Sequence, residues 1–194
     1  MTGVPTEQDL IRSARGGDQE AFAELVMLHA DRVYGALRRF GLDAGAADEV
    51  AQEVFLRAWR GLPQFQERAQ FSTWLYRIAF NEAQRRLARR TLPRAQPAPE
   101  DDTPDPVAAL AEPAESGPEA RALAGEFERT LEAALGELPP DWRAAVVLRD
   151  VEGLSTHDAA EIAGVGEAAF KSRLHRGRMQ LRALLEPYLE ISGG

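Results

Sequence analysis

The chain has 194 residues, 44% of them hydrophobic, which is enough for one domain or two small ones with compact cores. It contains no cysteine, which excludes disulfide staples, thiolate metal sites and cysteine nucleophiles, and it shows neither an early basic-then-apolar signal segment nor the ~20-residue apolar run of a membrane span, so a cytoplasmic protein is expected. The formal charge is −8, from 23 cations against 31 carboxylates, yet the acids gather between Glu100 and Glu119 while Arg85–Arg90 and Lys171–Arg182 are basic. That layout permits local contact with DNA but predicts weak DNA binding by the chain alone, and implies a larger carrier.

Thr6 is placed to cap a short first helix to about Ala14, with Asp9 completing a capping-box pattern, and Gly16-Gly17 ends it. Asp18 then caps a long helix whose apolar positions Phe22, Leu25, Val26, His29, Val33, Leu37 and Phe40 recur at three- and four-residue steps. His29 on that face reads as a satisfied packing histidine. Asp43 caps the next helix, which turns Val50, Val54, Phe55 and Ala58 inward and Asp48, Glu49, Gln52, Glu53 and Arg57 outward. This outer face is acidic and amide-rich, the composition of a solvated surface or of a contact surface.

Gly61-Leu62-Pro63 stops that helix, and a loop from Gln64 to Gln70 leads to FSTWLYRIAFNEAQRRLARR, where Ser72 is the expected cap. Trp74, Leu75, Ile78 and Ala79 are expected to pack, while Arg77, Asn81, Gln84 and Ala88 form a separate row. Rings beside such a row suit a site for unstacked bases, each stacked base being worth ~1–3 kcal/mol. Phe65 and Phe71 are the expected base contacts, with Trp74 mostly packed.

From Thr91 to Gly117 prolines alternate with acids and alanines, a composition with little to bury that reads as a flexible tether. Pro118 opens the next helix, with Leu123, Phe127, Leu131 and Leu135 as its stripe, and a further proline-opened helix runs from Pro139 to Asp150. Ser155 caps a short helix to about Ala163, Gly164 makes the turn, and a second helix runs from near Glu167 to Leu185, where Pro187 should end it. This is helix-turn-helix spacing. Phe170, Leu174, Gly177, Leu181 and Leu184 share the packed side of the second helix, and Lys171, Ser172, His175, Arg176 and Met179 the free one. Arg173 and Arg178 lie between them, within reach of phosphates if the helix enters a major groove. The fold expected is all-α: two small helical domains, 1–91 and 118–194, joined by an acidic Pro-rich linker, 92–117.

DVEGLS, AEIAGV and KSRLHRGR resemble region 4 of bacterial RNA polymerase sigma factors. DEVAQEVFLRAWR resembles region 2.2 of the same family and FSTWLYRIAFNEAQRRLARR its regions 2.3 and 2.4. With regions 2 and 4 joined directly, the chain resembles the extracytoplasmic-function subgroup. The resemblance implies a promoter-specificity subunit, not an enzyme, whose partners are core RNA polymerase (β′ clamp helices and β flap), promoter DNA as duplex and single strand, and an anti-sigma protein.

Residue by residue, it implies polymerase docking on Asp48, Glu49, Gln52 and Glu53, and single-strand capture of the −10 element by Asn81 with Phe65 and Phe71. Arg77, Gln84, Arg85 and Arg86 would line the −10 strand, and Lys171, Ser172, His175 and Arg176 would read the −35 element. Two positions depart from the family: Ala169-Phe170 replaces a common Thr-Val, and Gln84 stands where Asp is frequent. No cofactor or metal motif is present, and neither are the Gly-rich phosphate loop or the nucleophile–base pairs of a helical enzyme. An ordinary helix-turn-helix regulator acting without polymerase is the competing reading. It would need an effector or dimerisation domain in the first half, where residues 18 to 90 show neither strand alternation nor a coiled-coil heptad.

Overall fold

The computed structural model describes residues 5–66, 69–91 and 118–191. The linker, with its acidic run, and the last three residues lie outside them. The described residues form helices α1 (Glu7–Arg15), α2 (Gln19–Arg39), α3 (Ala44–Gly61), α4 (Phe71–Thr91), α5 (Pro118–Gly136), α6 (Pro140–Val146), α7 (Thr156–Ile162) and α8 (Glu167–Ile191), with no strand among them. A 3₁₀ turn, Leu62–Gln64, follows α3, and a π-type turn, Val147–Val151, prolongs α6. Two compact units result, one built on α1 to α4 and one on α5 to α8.

The helix starts follow local chemistry. At α1 the Asp9 amide donates to Thr6 Oγ1 at 3.2 Å while the Thr6 amide donates back to Asp9 Oδ2 at 3.2 Å, a complete capping box. The Thr6 hydroxyl, which donates to Asp9 Oδ2 at 2.6 Å, and the Thr6 amide together hold the exposed Asp9 carboxyl below the usual carboxylate range. Asp18 Oδ1 accepts from the Glu20 and Ala21 amides, Asp43 Oδ1 from the Ala46 amide at 2.8 Å, and Ser155 Oγ from the Asp158 amide at 3.0 Å. Each bond satisfies a backbone donor that the helix itself leaves open.

Two boundaries differ from expectation. Helix α4 begins at Phe71, with the Gln70 carbonyl accepting from the Trp74 amide at 3.2 Å, so Ser72 lies inside the first turn instead of capping it. Buried Phe71 anchors the start earlier than the hydroxyl would. Helix α8 runs through Pro187 to Ile191. The proline removes one backbone bond, but Ala183 and Pro187 are both exposed, so water can serve the Ala183 carbonyl left without a donor.

In the first unit α3 packs along α4, and Leu25, Val33, Leu37, Val54, Ala58, Leu75 and Ala79 are sealed from solvent. His29 is buried with them, its Nε2 2.9 Å from Glu7 Oε1, the satisfied packing histidine expected. In the second unit α8 collects α5, α6 and α7 around Phe170, Leu174, Leu135, Val146 and Leu148. The expected α5 stripe holds only at its end: Leu135 is buried and Leu131 half-buried, but Phe127 is 52% exposed. The side chain of Leu123 lies outside the described residues.

Candidate nucleic-acid interface

In the first unit a groove of about 480 Å³ opens between the end of α3 and the outer side of α4, walled by Trp74, Ile78, Asn81 and Arg85 from α4 and by Arg57, Arg60 and Gly61 from α3, with Gln64 beyond and Glu82 at its floor. At about 100° per residue, positions 74, 78, 81 and 85 fall on one stripe. Gly61 lets the indole of Trp74 lie close to α3, since a Cβ there would stand 3.1 Å from Trp74 Cζ2. The groove thus offers a half-buried aromatic plane, amides that can donate and accept, and guanidiniums at its edge, a combination suited to an unstacked base and its backbone.

Ring exposure reverses the expectation. Phe65 and Phe71 are only 5% and 4% exposed, whereas Trp74 is partly open and lines the groove. The two phenylalanines meet edge-on at 5.7 Å between centroids, Trp74 lies 5.1 Å and 5.6 Å from them, and Phe71 also contacts His29 at 5.3 Å. They pack against each other and brace the indole. The packed pair supports the ring that is presented.

Of the row expected on α4, Asn81 and Ala88 are exposed and Arg77 and Gln84 half-buried; the neighbouring Arg85 is exposed and Arg86 half-buried. Arg86 is engaged by Glu49 of α3 at 3.1 Å, and Arg85 by Glu82 at 2.6 Å. On α3, Asp48, Glu49 and Gln52 are exposed and Glu53 is half-buried, 2.8 Å from Arg57. The groove residues Arg57, Arg60, Gln64, Trp74 and Glu82 were not among the expected DNA contacts. The stripe of 74, 78, 81 and 85 was readable as a periodicity. That α3 leaves it open was not.

In the second unit the sidedness of α8 is as expected over its first half, while Leu181 and Leu184, also expected on the packed side, are half-buried. Phe170 and Leu174 are buried, and Gly177 packs directly on α6, where an added Cβ would stand 2.8 Å from Val146 Cγ2 and 3.0 Å from the Trp142 carbonyl. Lys171, Ser172, His175, Arg176 and Met179 are exposed. Arg176 lies over the Trp142 ring, 5.9 Å from its centroid, an arrangement that stiffens its long side chain.

The two flanking arginines are already engaged. Arg173 pairs with Asp141 at 3.0 Å, and Arg178 makes a two-pronged contact with Asp150 at 2.8 Å and 2.5 Å, a hydrogen bond that holds its guanidinium above its ordinary pKa. These pairs tie α8 to α6 and its π-turn, so each arginine must exchange a carboxylate for a phosphate to contact a backbone. Among the described residues no group of three or more His, Asp or Glu side chains is placed to hold a metal, and no helix is long and apolar enough to cross a membrane.

Comparison with known proteins matches residues 25–92 to the family model for sigma-70 region 2 and residues 128–181 to that for sigma-70 region 4. The RNA polymerase sigma-H factor of Pseudomonas aeruginosa is 35% identical over 188 residues, spanning 94% of this chain and 95% of its own. The ECF RNA polymerase sigma factor SigW of Bacillus subtilis is 32% identical over 177 residues, spanning 90% and 94%. Among solved structures, CnrH in complex with the cytosolic domain of CnrY shares 29% identity and a TM-score of 0.62, covering 93% of this chain and 97% of that one.

Proposed function

The chain belongs to the extracytoplasmic-function sigma factors of bacterial RNA polymerase, and from that premise we propose which of its residues carry each part of promoter recognition. As a sigma factor it binds core RNA polymerase and directs initiation at particular promoters, reading the −35 element with its helix-turn-helix and opening the −10 element with region 2. Members of the family are initiation factors and not enzymes, and we assign no catalytic residue to this chain. Its place of work is the cytoplasm, with the polymerase.

Residues 1–91 form the docking and melting domain, 92–117 the linker and 118–194 the upstream-reading domain. Asp48, Glu49, Gln52 and Glu53 dock on the polymerase, Asn81 and Trp74 receive an extruded base of the −10 strand, and Arg77, Gln84, Arg85 and Arg86 follow its backbone. Phe65 and Phe71 serve this site from beneath. Lys171, Ser172, His175 and Arg176 read −35 base edges, with Arg173 and Arg178 on the flanking phosphates. The observation that carries the upstream half is the sidedness of α8, whose four reading residues are exposed opposite a buried Phe170, Leu174 and Gly177. An ordinary regulator would need a separate effector domain, and the region 2 match occupies that part of the chain. CnrH is in complex with the cytosolic domain of another protein, CnrY, and by analogy an anti-sigma protein is assigned as a further partner here.

The test is co-migration of the purified chain with core RNA polymerase in size-exclusion chromatography, with and without promoter DNA. A stable complex with core is expected. Selective DNA binding with no association with core would overturn the assignment in favour of the ordinary regulator.

A further inference from the structure

Glu82 follows Asn81 on α4, and its side chain is only 10% exposed at the floor of the groove. One carboxylate oxygen, Oε1, lies 2.6 Å from Arg85 Nη1 and 3.0 Å from Arg57 Nε, so α3 and α4 each send a guanidinium to the same atom. The two arginines remain 44% and 56% exposed, so they are held at one end and open to solvent at the other. Holding α3 against α4 does not require this arrangement, because apolar side chains of similar volume join two helices without desolvating a carboxylate. Its particular effect is on the arginines. A free arginine has many rotamers to lose on binding, and here two of them are ordered in advance beside Trp74 and Asn81. The shared carboxylate also cancels part of their charge.

We propose that Glu82 is a positioning residue for single-strand capture. It aligns Arg57 and Arg85 along the groove and damps their charge, so that a strand is retained by the base it places against Trp74 and Asn81 and not by phosphates in any register. This rests on the reading of the groove as the −10 capture site. It makes a prediction that a purely structural carboxylate does not: removing the charge should loosen selectivity while leaving or strengthening indiscriminate binding, because Arg85 becomes free to pair with phosphates and Arg57 is left with Glu53 alone, 2.8 Å away on its own helix.

The experiment uses holoenzyme assembled with core polymerase and two fluorescent single strands, one enriched from a random pool by the wild-type holoenzyme and one a scramble of it. The ratio of their dissociation constants measures selectivity. Glu82→Gln should lower that ratio about fivefold or more, with scrambled-strand binding unchanged or tighter and more steeply salt-dependent. Glu82→Asp keeps the charge but is one methylene too short to hold both guanidiniums, so it should return scrambled binding to the wild-type level and leave selectivity low. Thermal melting establishes that each variant is folded, and Glu82→Asp carries the test if Glu82→Gln is not. An unchanged ratio, or equal losses on both strands, overturns the inference. Asn81→Ala run alongside separates the two levels. If it leaves the ratio intact, the groove is not the capture site and the role of Glu82 falls with it; if it abolishes selectivity while the Glu82 variants do not alter it, only the role of Glu82 is lost.

Discussion

Trp74 and Phe71 stand three residues apart on α4 and do opposite things. The phenylalanine is enclosed by His29, Phe65 and Trp74, so Phe71→Ala should cost roughly 3–5 kcal/mol of stability, read as a lower unfolding midpoint. Trp74 presents part of its ring to the groove, so Trp74→Ala should weaken opening of a duplex promoter by ~1–3 kcal/mol while a pre-melted template recovers only part of the loss, since stacking is missing on both. Equal promoter activity with the variant would remove Trp74 from the capture site. On α8, Arg176 is the reading cation best fixed for a base contact, through the Trp142 ring. Arg176→Ala should cost ~1–3 kcal/mol of −35 affinity and relax preference at one base position, measured by selection from promoter libraries. A loss spread evenly over all sequences would place Arg176 on phosphate.

Among the elements, α8 depends most on a single close approach. Gly177→Ala brings two opposing effects: better helix propensity, worth about 1 kcal/mol, and a Cβ forced to 2.8 Å from a buried valine methyl and 3.0 Å from a backbone carbonyl. Neither neighbour is the free end of a flexible side chain, and overpacking of this kind costs typically ~1–3 kcal/mol. The clash should win, giving lower thermal stability and weaker −35 binding together, because α8 is pushed off the α6 surface that orients its reading face. A stabilised variant with unchanged DNA binding would show that α6 and α8 have room to separate. The π-turn after α6 belongs to the same assembly, since its Asp150 holds Arg178 and so fixes the middle of α8 beside Gly177.

For the whole molecule, net charge and pairing act in the same direction. The formal charge is −8, and Arg85, Arg86, Lys171, Arg173 and Arg178, five of the cations assigned to DNA, already contact carboxylates. Few phosphates are then neutralised at little cost, and counterion release, the main source of free DNA affinity, is small. At about 0.15 M salt the isolated chain should bind a promoter duplex no better than a scrambled one, and the selective complex should form only with core polymerase present. Tight selective binding by the chain alone, in a gel-shift titration, would contradict this charge argument.

Much of this molecule could be read from its residues in order. Thr6, Asp18, Asp43 and Ser155 cap where they stand because capping is a bond between near neighbours. The two faces of α8 and the packing role of His29 follow from helical period, which the chain carries locally. What the order of residues determined by itself was therefore the helices, their sidedness and the motifs that mark the family. Ring exposure at Phe65, Phe71 and Trp74, the approach of Arg57 on α3 to Glu82 on α4, and the persistence of α8 through Pro187 were decided only by the tertiary structure. Each depends on what a distant segment covers or leaves to water, and a side chain's own period cannot report where the helix facing it ends, as α3 does at Gly61.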